Sequence, residues 1–415
     1  MGLDGLEKIQ ISEIRYPGSK TLFNDSNHLI LDNNTVLKPK VLIFIDWFLP
    51  GFRAGGPIQS ISNLVNHLGS ELEISIVTSD RDLDEVNSYP DILLNKWISK
   101  ENIRVLYLDS PHQNLTNYKR LLSEHQYDLV YFNSMFSVRF TLLPLWAVRN
   151  TKSKVILAPR GMLGEGALNI KKRKKHFFLS LLKLTGIAKK ITWHATAETE
   201  RSEIRKHFGD KIRVLVAPNL SASNQLTECL KLKDKNKLHL FFLSRIAKKK
   251  NLKIALDYLM KVDPKFNIDL TIIGPVDEND YWQECLKIIE KLPSHINVIY
   301  HGAIQNKELA GHLVEQHFML LPTMHENFGH VIMESWQNGC PVIISDQTPW
   351  RNLQEKMIGW DIALDQPQQF IHAIETAAAM DQEDFTRMSK AATDYAQAFT
   401  SDPAVLEANR KLFEK

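Results

Sequence analysis

Two glutamates, Glu326 and Glu334, stand eight positions apart around the hexapeptide His325-Glu326-Asn327-Phe328-Gly329-His330. The apolar run FMLL ends just before Pro322, and a helical pattern follows over 331–338. Gly329 lets the backbone approach a ligand closely. The helix start offers N–H groups and positive dipole to an anion. On one continuous helix the two carboxylates would lie about 12 Å apart on nearly the same face. Glycosidase carboxyl pairs sit at roughly 5–9.5 Å, so the spacing favours gripping two ends of an elongated polar ligand. The plainer reading of Glu334 is a solvated helix carboxylate. A second group is Leu243-Ser244-Arg245, closing another apolar run, followed by Ile246-Ala247-Lys248-Lys249-Lys250-Asn251. An Arg fork and a Lys point charge at a strand exit suit a diphosphate. The commoner fate of such a Lys run is a solvated basic turn.

Three further segments carry reactive residue types. Pro50-Gly51-Phe52-Arg53-Ala54-Gly55-Gly56-Pro57 follows an apolar run that ends at Asp46. Pro57 is a good first helical residue, and Gly55 and Gly56 before it permit close approach by a phosphate or sugar. Neither GxGxxG nor GxxxxGK[ST] is matched. Asp80-Arg81-Asp82 could be read as a metal-binding DxD, but nothing nearby supplies more oxygen ligands at an informative spacing, and exposed loop carboxylates are the simpler reading. No metal site is expected. Residues 169–190 hold Lys171, Lys172, Arg173, Lys174, Lys175, Lys183, Lys189 and Lys190 without an acid, interleaved with Phe177, Phe178, Leu179, Leu181, Leu182 and Leu184. Such a helix either docks on its own sheet with a solvated basic face or lies on an anionic membrane.

These residues need a frame. From Lys40 onward short apolar runs alternate with amphipathic segments. The runs cover 41–45, 74–78, 105–108, 129–132, 155–158, 191–194 and 214–217. Near-continuous apolar strands separated by helices indicate a parallel sheet covered on both faces, the doubly wound layout. Residues 218–237 break the alternation and read as a linker. It then resumes over 238–243, 270–273, 298–300, 318–321 and 342–344, and beyond 369 only helices are expected. Two α/β halves in line place the ligand beyond the strands' carboxyl ends, in the cleft between them. The 415 residues contain 44% hydrophobic and 24% charged residues and carry a net charge of +3. That balance suits a globular protein and argues against a general polyanion binder. Cys229, Cys285 and Cys340 suggest neither a disulfide framework nor a CxxC metal site. No basic n-region with an apolar core opens the chain, and no apolar run approaches the roughly 20 residues of a membrane span. A cytoplasmic protein, at most peripheral to the inner face of the cell membrane, is expected.

The segment PTMHENFGHVIMESWQNGCPVI resembles the E-x7-E signature of family 4 retaining glycosyltransferases, also called glycosyl transferases group 1. SRIAKKKN is similar to the family's donor-phosphate segment, with Ser244 in place of a Gly. FRAGGP resembles its glycine loop, and TIIGPVDENDY the strand and turn of its nucleotide half. The resemblance runs from about residue 38 to the C-terminus. It implies a GT-B fold of two Rossmann-like parallel-sheet domains facing across a cleft. Residues 1–38 are polar and turn-rich and read as an N-terminal extension or short hairpin outside the main fold; 39–219 are then an acceptor-side domain and 220–399 a donor domain. A C-terminal helix over about 400–415 would pack back on the first domain.

The resemblance implies metal-independent, retaining transfer of a sugar from a nucleotide-sugar, with UDP as the default nucleotide and no cofactor beyond this co-substrate. The acceptor is a hydroxyl of a glycan or lipid-linked molecule, as in cell-surface polysaccharide synthesis. By position, Arg245 and Lys250 would hold the diphosphate and Glu326 the donor sugar. Phe328 and Gly329 would lend N–H groups, and Glu334 would bind ribose. Gly55 and Gly56 would approach from the other side. Arg160 and Asn133 stand where many members carry His, and Arg160 could bind sugar oxygens or phosphate. His194 and Glu200 would lie by the cleft mouth, although a satisfied polar group within the fold is the favoured reading of His194. The competing functions are a non-catalytic GT-B sugar- or partner-binding protein and a GT-B nucleotide-sugar epimerase. No nucleic-acid partner is expected.

Overall fold

The computed structural model describes residues 38–164, 168, 172–222 and 231–414. The expected extension 1–38 and Cys229 therefore fall almost wholly outside the described residues.

Residues 38–415 form one compact unit built on two sheets. The first holds β1 (Lys40–Phe44), β2 (Glu73–Ser79), β3 (Trp97–Lys100), β4 (Ile103–Leu108), β5 (Leu129–Phe132), β6 (Lys154–Leu157), β7 (Ile191–Ala195) and β8 (Arg213–Val216). Their order is β3-β4-β2-β1-β5-β6-β7-β8, and only β3 runs antiparallel, against β4. The second holds β9 (Lys237–Leu243), β10 (Asn267–Ile273), β11 (Ile296–Gly302), β12 (Phe318–Leu321), β13 (Val342–Ser345) and β14 (Gly359–Ile362), ordered β11-β10-β9-β12-β13-β14 and wholly parallel.

The strand composition explains why both faces are covered. Along β1, Leu42 and Phe44 enter one apolar cluster with Val130, Phe132, Leu157 and Trp193. Val41 and Ile43 enter another with Ile74, Ile76, Leu129 and Ile156. Alternate side chains of a strand point to opposite faces, so a run of uninterrupted Val, Ile, Leu and Phe fits only a strand buried on both sides. The second sheet gathers its own cluster around Leu240, Phe242, Ile272, Leu320 and Ile343.

The two strands that sequence reading missed are edge strands. β3 (WISK) is half exposed and β14 (GWDI) is short and mixed. An edge strand needs no continuous apolar run, so the pattern that marks the others is lacking.

The helices that bear on the site are α1 (Gly56–Leu68), α2 (Lys172–Leu184), α3 (Asn306–Leu313), α4 (His330–Gln337) and α5 (Pro403–Leu412). α5 lies against the first sheet. Leu412 and Phe413 are buried in the cluster of Val41 and Ile43, and the Phe413 ring sits 5.8 Å from that of Tyr131. Asn409 donates to the Pro218 carbonyl at 2.8 Å, and Arg410 forks onto Glu71.

The apolar anchor should matter far more than the surface ion pair. Leu412→Ala should cost about 2–5 kcal/mol of stability. Arg410→Ala, at a half-exposed pair, should cost no more than about 1 kcal/mol. Urea unfolding midpoints of the two variants check the difference.

Candidate active site

Parallel strands deliver the loops at their carboxyl ends to one cavity of about 370 Å³. Nine residues singled out from the sequence all line it: Gly55, Gly56, Arg160, Arg245, Lys250, Glu326, Phe328, Gly329 and Glu334. They come from four segments far apart in the chain.

The first segment is the loop between β1 and α1. Asp82 accepts from the amides of Phe52 and Arg53 at 2.8 and 3.1 Å, fixing the loop from below. Asp80 accepts from Arg81 and Ser88. The Asp-x-Asp carboxylates, read as exposed in the sequence, are instead buried, at 0% and 6% exposure, because they are spent on shaping loops. Gly55 has φ +64° with open space above its Cα. Its backbone shape, not crowding, requires glycine, and its carbonyl takes the Ile58 and Gln59 amides at 3.0 and 3.2 Å, which closes the first turn of α1.

The second segment follows β6. Arg160 and Gly161 both have positive φ. A Cβ on Gly161 would lie 2.9 Å from the Asn327 side chain and from His325 Nε2, so glycine is what lets the two halves touch here. Asn327 Nδ2 also donates across the cleft to Thr196 Oγ1 at 2.8 Å.

The third segment follows β9. Gly274, at the end of neighbouring β10, passes so close that a Cβ there would stand 2.0 Å from the Ser244 carbonyl. Beyond Ser244 lie Arg245 and a single 3₁₀ turn over Lys248–Lys250. Arg245 donates to Asp277 at 2.8 Å, and Lys250 pairs directly with Glu326. Both diphosphate candidates therefore already hold carboxylates. Lys249 was passed over in the sequence, being one of three identical neighbours. The turn half-buries it at the cavity wall, where burial and then the Lys250 charge pull its pKa down to about 8.

The fourth segment runs from Thr323 into α4. Only Glu334 is helical; Glu326 lies in the preceding loop, its amide bonded to the Gln347 carbonyl at 2.8 Å. The separation expected of one helix therefore does not apply. Phe328 contributes backbone only, since its ring packs on Trp350 and Phe399. Burial raises the Glu334 carboxyl to about 7, partly offset by a 2.8 Å bond from Asn306 of α3. Burial also lowers His325 to about 4, with the Lys249 charge adding to it, and His330 to about 3, with Arg160 adding to it. Both rings are therefore neutral near pH 7. His330 Nε2 lies 2.9 Å from Ser60 Oγ of α1, tying the two glycine loops together.

The cleft-mouth placement of His194 and Glu200 is corrected: both are 2% exposed and neither lines the cavity, so the favoured of the two readings of His194 holds. His194 is a satisfied internal group between the Tyr131 hydroxyl and the Ala217 carbonyl. Glu200 accepts from the Gly161 amide at 2.6 Å and from Thr196, and so braces the second segment. A strand-end His and a helix-start Glu look alike in sequence whether they face the cleft or the core. Asn306, Ser60, and Asn327 and His330 within the hexapeptide were given no role because each finds its partner far away in the chain.

Chemically, the cavity combines cations beyond β9, the glycine loop before α1, the start of α4 and two carboxylates at the ends of the 326–334 segment. The family model for glycosyl transferases group 1 matches residues 230–395. A protein of Klebsiella pneumoniae described as an uncharacterized 41.2 kDa protein in the cps region is 26% identical over 238 residues. The match covers 55% of this chain and 62% of that relative's length. Among solved structures, Anabaena HepE (Alr3699), in complex with UDP and glucose, superposes with a TM-score of 0.64 at 14% identity, covering 90% of this chain and 98% of HepE. WaaG, a glycosyltransferase involved in lipopolysaccharide biosynthesis, gives 0.63 at 13% identity over 90% and 98% of the two chains. Sucrose-phosphate synthase of Thermosynechococcus elongatus gives 0.67 at 15% over 91% and 98%. These likenesses carry the fold, which is GT-B.

Glu334 yields a signature for any ligand whose hydroxyls donate to it. Near pH 7 its carboxyl is about half protonated. Such a ligand favours the ionised form, so binding lowers the pKa and expels a proton. Affinity should rise as pH increases through 7 and level off above it. Calorimetry in two buffers of different ionisation enthalpy should read about half a proton released at pH 7, and none in Glu334→Gln.

Proposed function

We propose that this GT-B chain, whose residues 230–395 match glycosyl transferases group 1, moves a sugar from a nucleotide-sugar to a hydroxyl acceptor. The donor is a UDP-sugar. The acceptor is a glycan or lipid-linked molecule in the synthesis of a cell-surface polysaccharide. One observation carries this reading: nine separately chosen residues meet in one cavity, with Arg245, Lys249 and Lys250 on its second-half wall. The cps-region location of the Klebsiella relative and the UDP bound by HepE support the finer terms.

In the proposed mechanism the donor diphosphate displaces Asp277 from Arg245 and Glu326 from Lys250. Glu326 is then free to accept from donor sugar hydroxyls, and Glu334 from the ribose. The bond between the anomeric carbon and the β-phosphate oxygen breaks while the acceptor oxygen bonds to that carbon on the same face. The acceptor proton passes to the leaving phosphate oxygen. Configuration is retained, and neither a metal nor a protein base is required. Negative charge grows on the diphosphate during this step, so pre-placed cations and helix amides act more strongly in the transition state than before it.

Arg245→Ala or Lys250→Ala should lower kcat roughly 10²–10³-fold, about 3–4 kcal/mol. A thermal-shift panel with UDP, GDP, ADP and their sugars tests the donor: one nucleotide at 100 times its Kd should add about 2.7 kcal/mol, an effect weakened in Arg245→Ala. No shift with any nucleotide defeats the donor reading. Binding without transfer points to the non-catalytic function, and a rearranged free nucleotide-sugar as product points to an epimerase.

An anionic membrane surface is the proposed location of the acceptor. Among the described residues, no helix is long and apolar enough to cross a membrane. α2 buries Phe178, Leu179 and Leu182 against the first sheet, yet leaves Phe177 72%, Leu181 42% and Leu184 86% exposed. Arg173, Lys183, Lys189 and Lys190 lie exposed around them. Apolar wedges rimmed by cations suit an anionic bilayer, each cation near the surface adding about 1 kcal/mol. The protein should sediment with phosphatidylcholine vesicles that contain phosphatidylglycerol and not with phosphatidylcholine alone. High salt or Phe177→Ser with Leu184→Ser should release it.

A further inference from the structure

Arg160 differs from the other arginines at the cavity in how it is held. Arg53 pairs with Glu85, and Arg245 with Asp277. Among the described residues, Arg160 is gripped only by neutral acceptors. Its Nε donates to Asn133 Oδ1 at 2.8 Å, one terminal nitrogen to Asn219 Oδ1, and the other to the Tyr131 hydroxyl oxygen at 2.9 Å.

That grip is directional. The Ala217 carbonyl, 2.9 Å from His194 Nε2, fixes the proton there. His194 Nδ1 must then accept the Tyr131 hydroxyl proton at 2.8 Å, which turns the Tyr131 oxygen lone pairs to Arg160. Burial and the Arg160 charge hold His194 well below its usual range, so the ring stays neutral and the relay keeps its direction. The oxygens of the nearby Glu200 accept instead from Gly161 and Thr196. Three of the five guanidinium N–H groups are thus committed. One remains on each terminal nitrogen of a residue that lines the cavity.

A guanidinium fixed by neutral groups keeps its whole charge for a ligand. Once a substrate excludes water, that charge costs free energy unless an anion meets it. The diphosphate has its own cations on the opposite half. We propose that Arg160 reads a second anionic group, a carboxylate or phosphate carried by the transferred sugar or by the acceptor, which makes this site selective for an acidic sugar. This rests on the donor reading above. The neutral grip positions the fork, and the fork supplies the discrimination, since charge-assisted bidentate contacts are about twice as strong as neutral ones.

Calorimetry with UDP, UDP-glucose and UDP-glucuronate tests it. In the wild type, UDP-glucuronate should bind at least about tenfold more tightly than UDP-glucose. Arg160→Gln should erase that preference and leave the UDP Kd within about twofold. Arg160→Lys, which keeps the charge without the fork, should retain part of it. If the two donors bind alike, UDP-loaded enzyme is titrated with glucuronate and with inorganic phosphate. Binding that Arg160→Gln abolishes then places the anion on the acceptor. Two results overturn the inference: no anion that depends on Arg160 in either arm, or Arg160→Gln weakening UDP as much as the acidic ligands. Failure of UDP itself to bind defeats only the donor reading, because the glucuronate and phosphate titrations on free enzyme still decide the role of Arg160.

Discussion

A parallel sheet covered on both faces has little free backbone except at the strand ends. Every strand of the second sheet, and all but β3 of the first, runs the same way. Each strand exit is therefore a place where a loop can carry a polar residue without burying it in the core. The cavity is the common meeting point of the exits of β1, β6, β9, β10 and β12. The continuous apolar strands hold the sheets, and they also push all the chemistry to one rim.

On the second half of that rim two cations come already matched. Lys250 holds Glu326, and Arg245 holds Asp277. A half-buried cation without a partner would be costly, so the carboxylates act as place-holders for an anionic ligand. The exchange of one anion for another needs little rearrangement of the cations. Glu334 follows a different logic. It has a neutral amide partner, and its burial keeps it near the midpoint of its titration. The histidines of the same loop are neutral for the same physical reason, which leaves lysine and arginine as the fixed positive charges of the cavity.

What could be read from the sequence follows the reach of each signal. Apolar runs along β1, β2, β5 and β9 are local and periodic, and they stand where the spacing put them. Residues next to a strand exit, such as Arg245 and Gly55, inherit their position from the strand and were legible for that reason. Gly161 against Asn327, Ser60 against His330 and Asn306 against Glu334 join segments distant in the chain. No local pattern announces such pairs. His194 shows the same limit from the other side: a polar residue at a strand end faced inward, because Tyr131 and Ala217 were there to receive it.

The seating of α5 on the first sheet has a topological consequence. The chain leaves the first half near Pro218, builds the whole second sheet, and returns to bury Leu412 and Phe413 beside Val41 and Ile43. The second half is in effect a long insertion, attached by two crossings instead of one. A body held at two points swings about the line that joins them and resists twisting about any other. A second attachment therefore constrains the relative placement of the two halves more than a single linker would.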